Sequence, residues 1–406
     1  MEEFMIYNKE ELIKRVDEIY DSVVEFRRDL HMHPELSEQE SRTAAKVQEK
    51  LDELGISYDA NVAGHGVSAL IEGKNKEHAV AVRADMDALP ILEKSGVDFA
   101  SKTEGIMHAC GHDIHTAILI GTAEILSEIK DELPGSVRLL FEPSEETIGG
   151  AKQMIDAGCM VSPKVDSVLG LHVETTVPVG MVEFIPGPMN AASCEFYVTV
   201  KGKSCHGAHP SNGVDAIVCG CSMVGQLQSI ITRRINPVEP ALITIGRFHS
   251  GTKNNIVAGE AEFSGIIRTL NLENRELIKS QIKQICEGTA AAYGATCEVV
   301  FHDSYPSLEN DYTLLDWITE STEEVIGREN ITKKDQPSMG ADDFSYFCHG
   351  TRGFYYNIGT WNKDKEEVAA PIHNDRFNPD EECIKTGILT QVAGILKILE
   401  EESKTW

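Results

Sequence analysis

Basic charge is what this chain has least of. Lys and Arg total 37 against 65 Asp and Glu, a formal charge of −28 over 406 residues. That imbalance repels polyanions, which argues against nucleic acid or an anionic membrane surface as a partner. The acidic excess reads as a solvating surface. Long apolar runs are missing too: nowhere do about eighteen apolar residues follow one another without a charge. Met1-Glu2-Glu3-Phe4-Met5 lacks the basic and apolar stretches of a secretory leader. A cytoplasmic protein with no membrane contact is expected. There is no internal repeat and no low-complexity tract. The ten cysteines lie at irregular intervals in a chain too long to need disulfide staples, so most are expected to be reduced, buried hydrophobes. That applies also to Cys219-Gly220-Cys221, which sits in an apolar helical stretch, and to Cys194 and Cys205.

With 41% hydrophobic and 25% charged residues, what remains is an ordinary globular composition, long enough for two or three domains. Helical spacing from Lys9 to Leu30 marks an opening amphipathic helix, and Ser37 or Ser41 can cap a second that stops at Gly55. Strand-like runs (Val67–Ile71, Ala79–Val82, Val137–Phe141, Val168–Val173) then alternate with helical ones (His115–Ile129, Ala151–Ala157), which implies an α/β domain with a largely parallel sheet. Beyond the breaker-rich Pro186-Gly187-Pro188 the order becomes βαββαβ, as in an inserted ferredoxin-like α+β domain. The expected layout is a catalytic metal-binding domain from residues 1–186 and 303–406, interrupted by a lid or dimerisation domain over 187–302.

The chemistry concentrates at a few points. His108-Ala109-Cys110-Gly111-His112-Asp113-Ile114-His115 gathers thiol, imidazole and carboxylate before a helical run, and these are ligands for zinc and similar ions. A polar loop with a buried Cys is the plainer alternative. Glu145-Glu146 follows the strand-like Val137–Phe141, where one carboxylate can bind metal while its neighbour takes a proton from water. Adjacent Glu residues are also common on solvated surfaces. His172 ends an apolar run and His373 lies late in the chain. With the first groups they complete a ligand set typical of a metal pair: Cys110, His112, Glu146, His172 and His373.

These segments resemble the amidohydrolase branch of the aminoacylase and carboxypeptidase G metallopeptidase family, which includes hippurate, indole-acetyl-amino-acid and N-acetyl-diaminopimelate hydrolases. The likeness runs from Arg27-Arg28-Asp29-Leu30-His31 through Arg83-Ala84-Asp85-Met86-Asp87, the Cys110 loop, Glu145-Glu146, His172, Lys203-Ser204-Cys205-His206-Gly207 and Gly340-Ala341-Asp342-Asp343-Phe344 to His373. It implies two divalent ions bridged by Cys110, with His112, Glu146, His172 and His373 completing the coordination and Glu145 as general base. A thiolate bridge admits manganese, nickel or cobalt as readily as zinc. His206 takes the place where the family presents a His to the substrate carbonyl, often across a homodimer formed by the inserted domain. Asn254, Asn255 and Arg268 match substrate-contacting positions, though a strand Arg at a sheet edge is the plainer reading of Arg268. Asp87 and Asp113 are expected to orient His ligands, with a turn or cap role as the alternative. Asp85 stands where related branches carry a metal-binding His, and reads as a stray surface carboxylate.

The expected activity is hydrolysis of a small N-acyl amino acid. A dipeptidase or aminopeptidase would share the metals but need a site for a free α-amine. A non-catalytic metal-binding protein would have no use for Glu145 beside a ligand.

Overall fold

The structure, a computed structural model, describes residues 8–365 and 370–406. The chain separates into two compact units: Met1–Gly187 with Glu309–Gln336 and Tyr346–Trp406, and Pro188–Leu308 with Pro337–Ser345.

An eight-stranded sheet organises the first unit. Gly135–Glu142, Asn75–Asp85, Lys164–Pro178 and Arg352–Trp361 lie side by side in that order, each parallel to the next. Every residue of Gly135–Glu142 is buried, as an inner parallel strand requires. The flanks are mixed. Gly66–Ile71 and Ser57–Val62 add antiparallel on one side; on the other, Val182–Phe184 runs antiparallel to Arg352–Trp361 and parallel to Ile331–Lys333. The short strands Ser57–Val62, Val182–Phe184 and Ile331–Lys333 escape sequence reading because so few residues carry no clear alternation.

Helix Lys9–Met32 opens on a capping box, with Asn8 accepting from the Glu11 N–H (3.0 Å) and Glu11 from the Asn8 N–H (3.4 Å). Its stripe of Leu12, Val16, Ile19, Val23, Phe26 and Leu30 is buried, and the helix packs with His112–Glu128 and Cys383–Ser403. His112–Glu128 is buried nearly all round, a core helix rather than an amphipathic one. Helix Ser41–Glu53 differs from expectation, since neither Ser37 nor Ser41 caps it. The Glu35 carboxylate serves its first turn instead, accepting from the N–H groups of Arg42 (3.0 Å) and Thr43 (2.8 Å).

In the second unit, Ala192–Lys201, Ala241–Ser250, Glu260–Thr269 and Thr296–Asp303 form an antiparallel sheet with helices Ala216–Arg233 and Leu272–Tyr293 between them in the chain. The spatial order 241–250, 260–269, 192–201, 296–303 is the ferredoxin-like one. Cys194, Cys219 and Cys286 pack in its core beside Phe196, Met223 and Ile282. One segment departs from the sequence division: 337–345, with the Gly340-Ala341-Asp342 motif, belongs to this unit. Ser338 N–H donates to Met189 O and Ala191 N–H to Gly340 O, each at 2.8 Å. Backbone pairing across so long a sequence separation leaves no local pattern to read.

Candidate metal centre

In a parallel sheet, side chains just past the carboxyl ends of the strands converge on one edge. Asn75–Asp85 ends two residues before Asp87, and Gly135–Glu142 three before Glu145. The pairing of Asn75–Asp85 with Lys164–Pro178 stops at Arg83↔Gly170, so His172 lies just beyond it. Cys110 precedes helix His112–Glu128. Gly111, between them, has φ +90°, and a Cβ there would stand 2.5 Å from Val173 Cγ2. Only glycine allows the loop to approach that strand.

Two groups of donors result, and they share one sulfur. Cys110, His112 and His172 have ligand atoms within 4.8 Å of one another, and so do Cys110, Glu146 and His373. His172 Nε2 lies 3.4 Å and His373 Nε2 3.3 Å from Cys110 Sγ. A third group, His112, Glu145 and Glu146, places the expected base beside the ligand atoms. Of the three His in the Cys110 loop, only His112 joins a group with the thiol.

The donors are held from behind. His172 Nδ1–H donates to Val173 O at 2.8 Å, which leaves Nε2 with its lone pair. Asp87 fixes two donors at once: Oδ1 accepts from His112 Nδ1 (3.1 Å), Oδ2 from the Glu146 N–H (3.0 Å). Ser37 Oγ donates to the same Oδ2 at 2.7 Å. His373 sits at φ +60°, with its N–H on Ala109 O at 2.7 Å. The turn bearing Glu145 is tight: Ser144 has φ +61° and donates its N–H to buried Glu40 at 2.8 Å. At Gly150 a Cβ would stand 2.0 Å from Pro143 O. Gly150→Ala is therefore expected to destabilise the protein by roughly 1–3 kcal/mol, read as a lower urea midpoint; an unchanged midpoint would show that the turn yields freely.

The donor set fits a divalent metal pair. His112 Nε2 is buried and, among the described residues, has no hydrogen-bond partner, an arrangement that costs free energy unless a cation satisfies it, while Glu146 Oε1 lies 3.1 Å from His373 Nε2, a spacing that two ligands of one ion can share. Burial drives the Cys110 thiol well above its ordinary value despite the nearby His112, so a thiolate there would need a cation beside it. Burial also pushes the Glu146 carboxyl up, but His373 and His112 outweigh it and hold it below the usual range. One thiolate, three imidazoles and a carboxylate suit zinc, manganese, nickel or cobalt.

The model of the peptidase family M20/M25/M40 matches residues 81–396. This chain belongs to that family. An N-acyl-L-amino acid amidohydrolase of Geobacillus stearothermophilus is 41% identical over 74% of this chain and 81% of its own length. Thermostable carboxypeptidase 2 of Saccharolobus solfataricus is 38% identical over 96% and 98%. Among solved structures, a putative aminohydrolase from methicillin-resistant Staphylococcus aureus superposes with a TM-score of 0.92 at 33% identity, covering 96% of this chain and all of that one. A Bacillus subtilis protein described as a dinuclear metal binding peptidase from the M20 family gives 0.82 at 33% identity, covering 95% and 99%.

Several residues of this M20 chain lie differently from expectation. Asp113 orients none of the expected ligands. Adjacent helical residues point about 100° apart, so with His112 on the donor side Asp113 turns to helix Lys9–Met32, where Arg27 Nε (2.7 Å) and His31 Nδ1 (2.8 Å) hold it. Asp85 is no surface carboxylate: it is fully buried, accepting from Arg83 Nη1 and His115 Nδ1, each at 2.6 Å. His115, three residues past His112, is its partner there and also accepts from the Val173 N–H at 3.0 Å; a spacing of three returns its side chain to nearly the same helix face as His112. In the second unit, His206 is exposed on the short strand Cys205–His206, and its Nδ1 accepts from the Ala208 N–H at 3.0 Å, so a neutral ring carries its proton on Nε2. Asn254 and Asn255 are exposed, and Asn255 O accepts from the Gly207 N–H beside His206 at 2.8 Å. Arg268 is not at an edge: its strand runs between Ala241–Ser250 and Ala192–Lys201, and Nη1 is buried without a hydrogen-bond partner among the described residues.

Proposed function

We propose that this chain is a metal-dependent amidohydrolase that splits the amide bond of an N-acyl amino acid into a carboxylic acid and a free amino acid. The observation that carries the reading is Glu145, a second carboxylate set among the donors beside His112 and Glu146, where a storage or structural metal site has no use for one. Cys110, His112 and His172 would hold one divalent ion, and Cys110, Glu146 and His373 the other. When bound, the ions polarise the amide carbonyl and bring the pKa of water toward neutrality. Glu145 takes the proton from the attacking water and delivers it to the leaving nitrogen. His206, with its proton on Nε2, donates to the carbonyl oxygen as charge develops there. The buried, unpartnered Nη1 of Arg268 suits a carboxylate on the leaving amino acid, with Asn254 and Asn255 as further substrate contacts. Residues 187–302 serve as lid and homodimer interface, and the enzyme works in the cytoplasm on small molecules.

Relatives named N-acyl-L-amino acid amidohydrolase and N-acetylcysteine deacetylase support this substrate class. A second reading, carboxypeptidase, is favoured by the Saccharolobus relatives of that name. Both chemistries release an amino acid with a free carboxylate and differ in what lies on the acyl side.

The test is amine release from N-acetyl, N-benzoyl and indole-acetyl amino acids, N-blocked dipeptides and unblocked dipeptides, with added manganese or zinc. Turnover of the simple acyl amino acids is expected; turnover of blocked peptides alone favours the carboxypeptidase, and of unblocked dipeptides alone a dipeptidase. Chelation should abolish turnover and lower the thermal midpoint, since a ligand present at about 100 times its Kd contributes roughly 2.7 kcal/mol. A midpoint and rate indifferent to chelator would sink the metal assignment.

A further inference from the structure

His172 is only partly buried, so packing alone does not lock its ring. A run of hydrogen bonds does. His172 Nδ1–H donates to Val173 O (2.8 Å), and the Val173 N–H donates to His115 Nε2 (3.0 Å). That second bond forces the proton of a neutral His115 onto Nδ1, which donates to Asp85 Oδ1 at 2.6 Å. Asp85 Oδ2 accepts from Arg83 Nη1 at 2.6 Å, and Arg83 Nε donates to Glu142 Oε2 at 2.5 Å. Arg83, Asp85, His115 and Glu142 are at most 1% exposed.

We propose that Asp85 and His115 are positioning residues that act through the Val173 peptide to hold His172 Nε2 toward Cys110, and so set the metal affinity of the Cys110–His112–His172 group selectively. The inference rests on the two-metal reading above. Asp85, His112 and His115 also have potential ligand atoms within 4.8 Å of one another. Yet both His115 nitrogens are engaged, so His115 is no ligand, and the two Asp85 oxygens are turned to His115 and Arg83. The ion pair with Arg83 keeps a charged carboxylate behind the imidazole, which strengthens His115 as an acceptor. The anchors of the other donor group lie outside this run of hydrogen bonds, Glu146 through its N–H to Asp87, which also holds His112, and His373 through its N–H to Ala109 O.

Cobalt(II) titration of the metal-free full-length protein, followed by calorimetry and by thiolate-to-cobalt charge-transfer absorption, tests this with His115→Phe, His115→Asn and His115→Gln. Gln can place an acceptor where Nε2 stood, toward the Val173 N–H; Asn reaches only the Asp85 side; Phe reaches neither. Wild type should take up two equivalents. The Phe and Asn variants should keep one tight equivalent, which also reports a folded site, and bind the second about 10–100-fold more weakly; Gln should recover much of that loss. Unchanged uptake by His115→Phe, equal weakening or loss of both equivalents, or a Gln variant no better than Phe overturns the proposal. Fewer than two equivalents in wild type overturns the two-metal reading itself, which keeps the two failures distinct.

Discussion

Glu145→Gln is expected to lower kcat by roughly 10²–10⁴-fold, the usual worth of a positioned general base, while metal content and thermal midpoint stay at wild-type values. Gln keeps the shape and hydrogen-bonding reach of the side chain but cannot take a proton from water. Glu145 is 8% exposed, on a turn braced by Ser144 and Glu40, so the amide should stay where the carboxylate was. The measurement is kcat and KM on the best substrate, with bound metal counted in the same samples. Loss of a metal equivalent would make Glu145 a ligand, and a kcat within about tenfold of wild type would remove it as the base.

Arg27→Met carries the largest expected cost in stability, roughly 3–5 kcal/mol, because it strands a buried charge. Arg27 and Asp113 are both fully buried. Arg27 also reaches Glu381 at 3.2 Å, and His31 reaches Glu93 at 3.2 Å. Burial pushes the Asp113 carboxyl up, but Arg27 and His31 outweigh it and hold it below the ordinary range. Its stabilisation is therefore complete above the usual carboxylate pKa and is lost as pH falls through the lower folded value. His31 has the opposite sign: burial and Arg27 push its pKa down, Asp113 and Glu93 outweigh them, and the net shift is upward. Its contribution is complete below the usual histidine pKa and fades as pH rises through the folded one. Urea unfolding across pH should show the Met variant losing stability at pH 7, with its acid limb moved to higher pH. A loss under about 1 kcal/mol would mean that water or a rearranged His31 replaces the guanidinium.

The donors of the candidate metal centre are conspicuous in the sequence. Cys110, His112, Glu146, His172 and His373 stand out because thiols, imidazoles and paired carboxylates at the ends of apolar runs are chemically conspicuous, and the fold gathers them into two groups sharing one sulfur. The βαββαβ order of the inserted unit was legible as well, since each of its elements is long enough to show its own period. Asp113 and Asp85 were not. Both are ordinary acidic residues in the sequence, and their partners Arg27, His31 and His115 lie far along the chain. The missed cap of helix Ser41–Glu53 has the same origin, because Ser37 was drawn off by Asp87, fifty residues away.

By itself, then, the sequence determined which side chains can bind metal or move a proton and which segments alternate as strand and helix, because donor chemistry and hydrophobic period are local properties. Tertiary structure alone decided where each carboxylate points. The 100° step between His112 and Asp113 sends one toward Cys110 and the other to Arg27, while the third residue on, His115, comes back to meet Asp85. Direction on a helix has meaning only once the neighbouring strands and helices have taken their places.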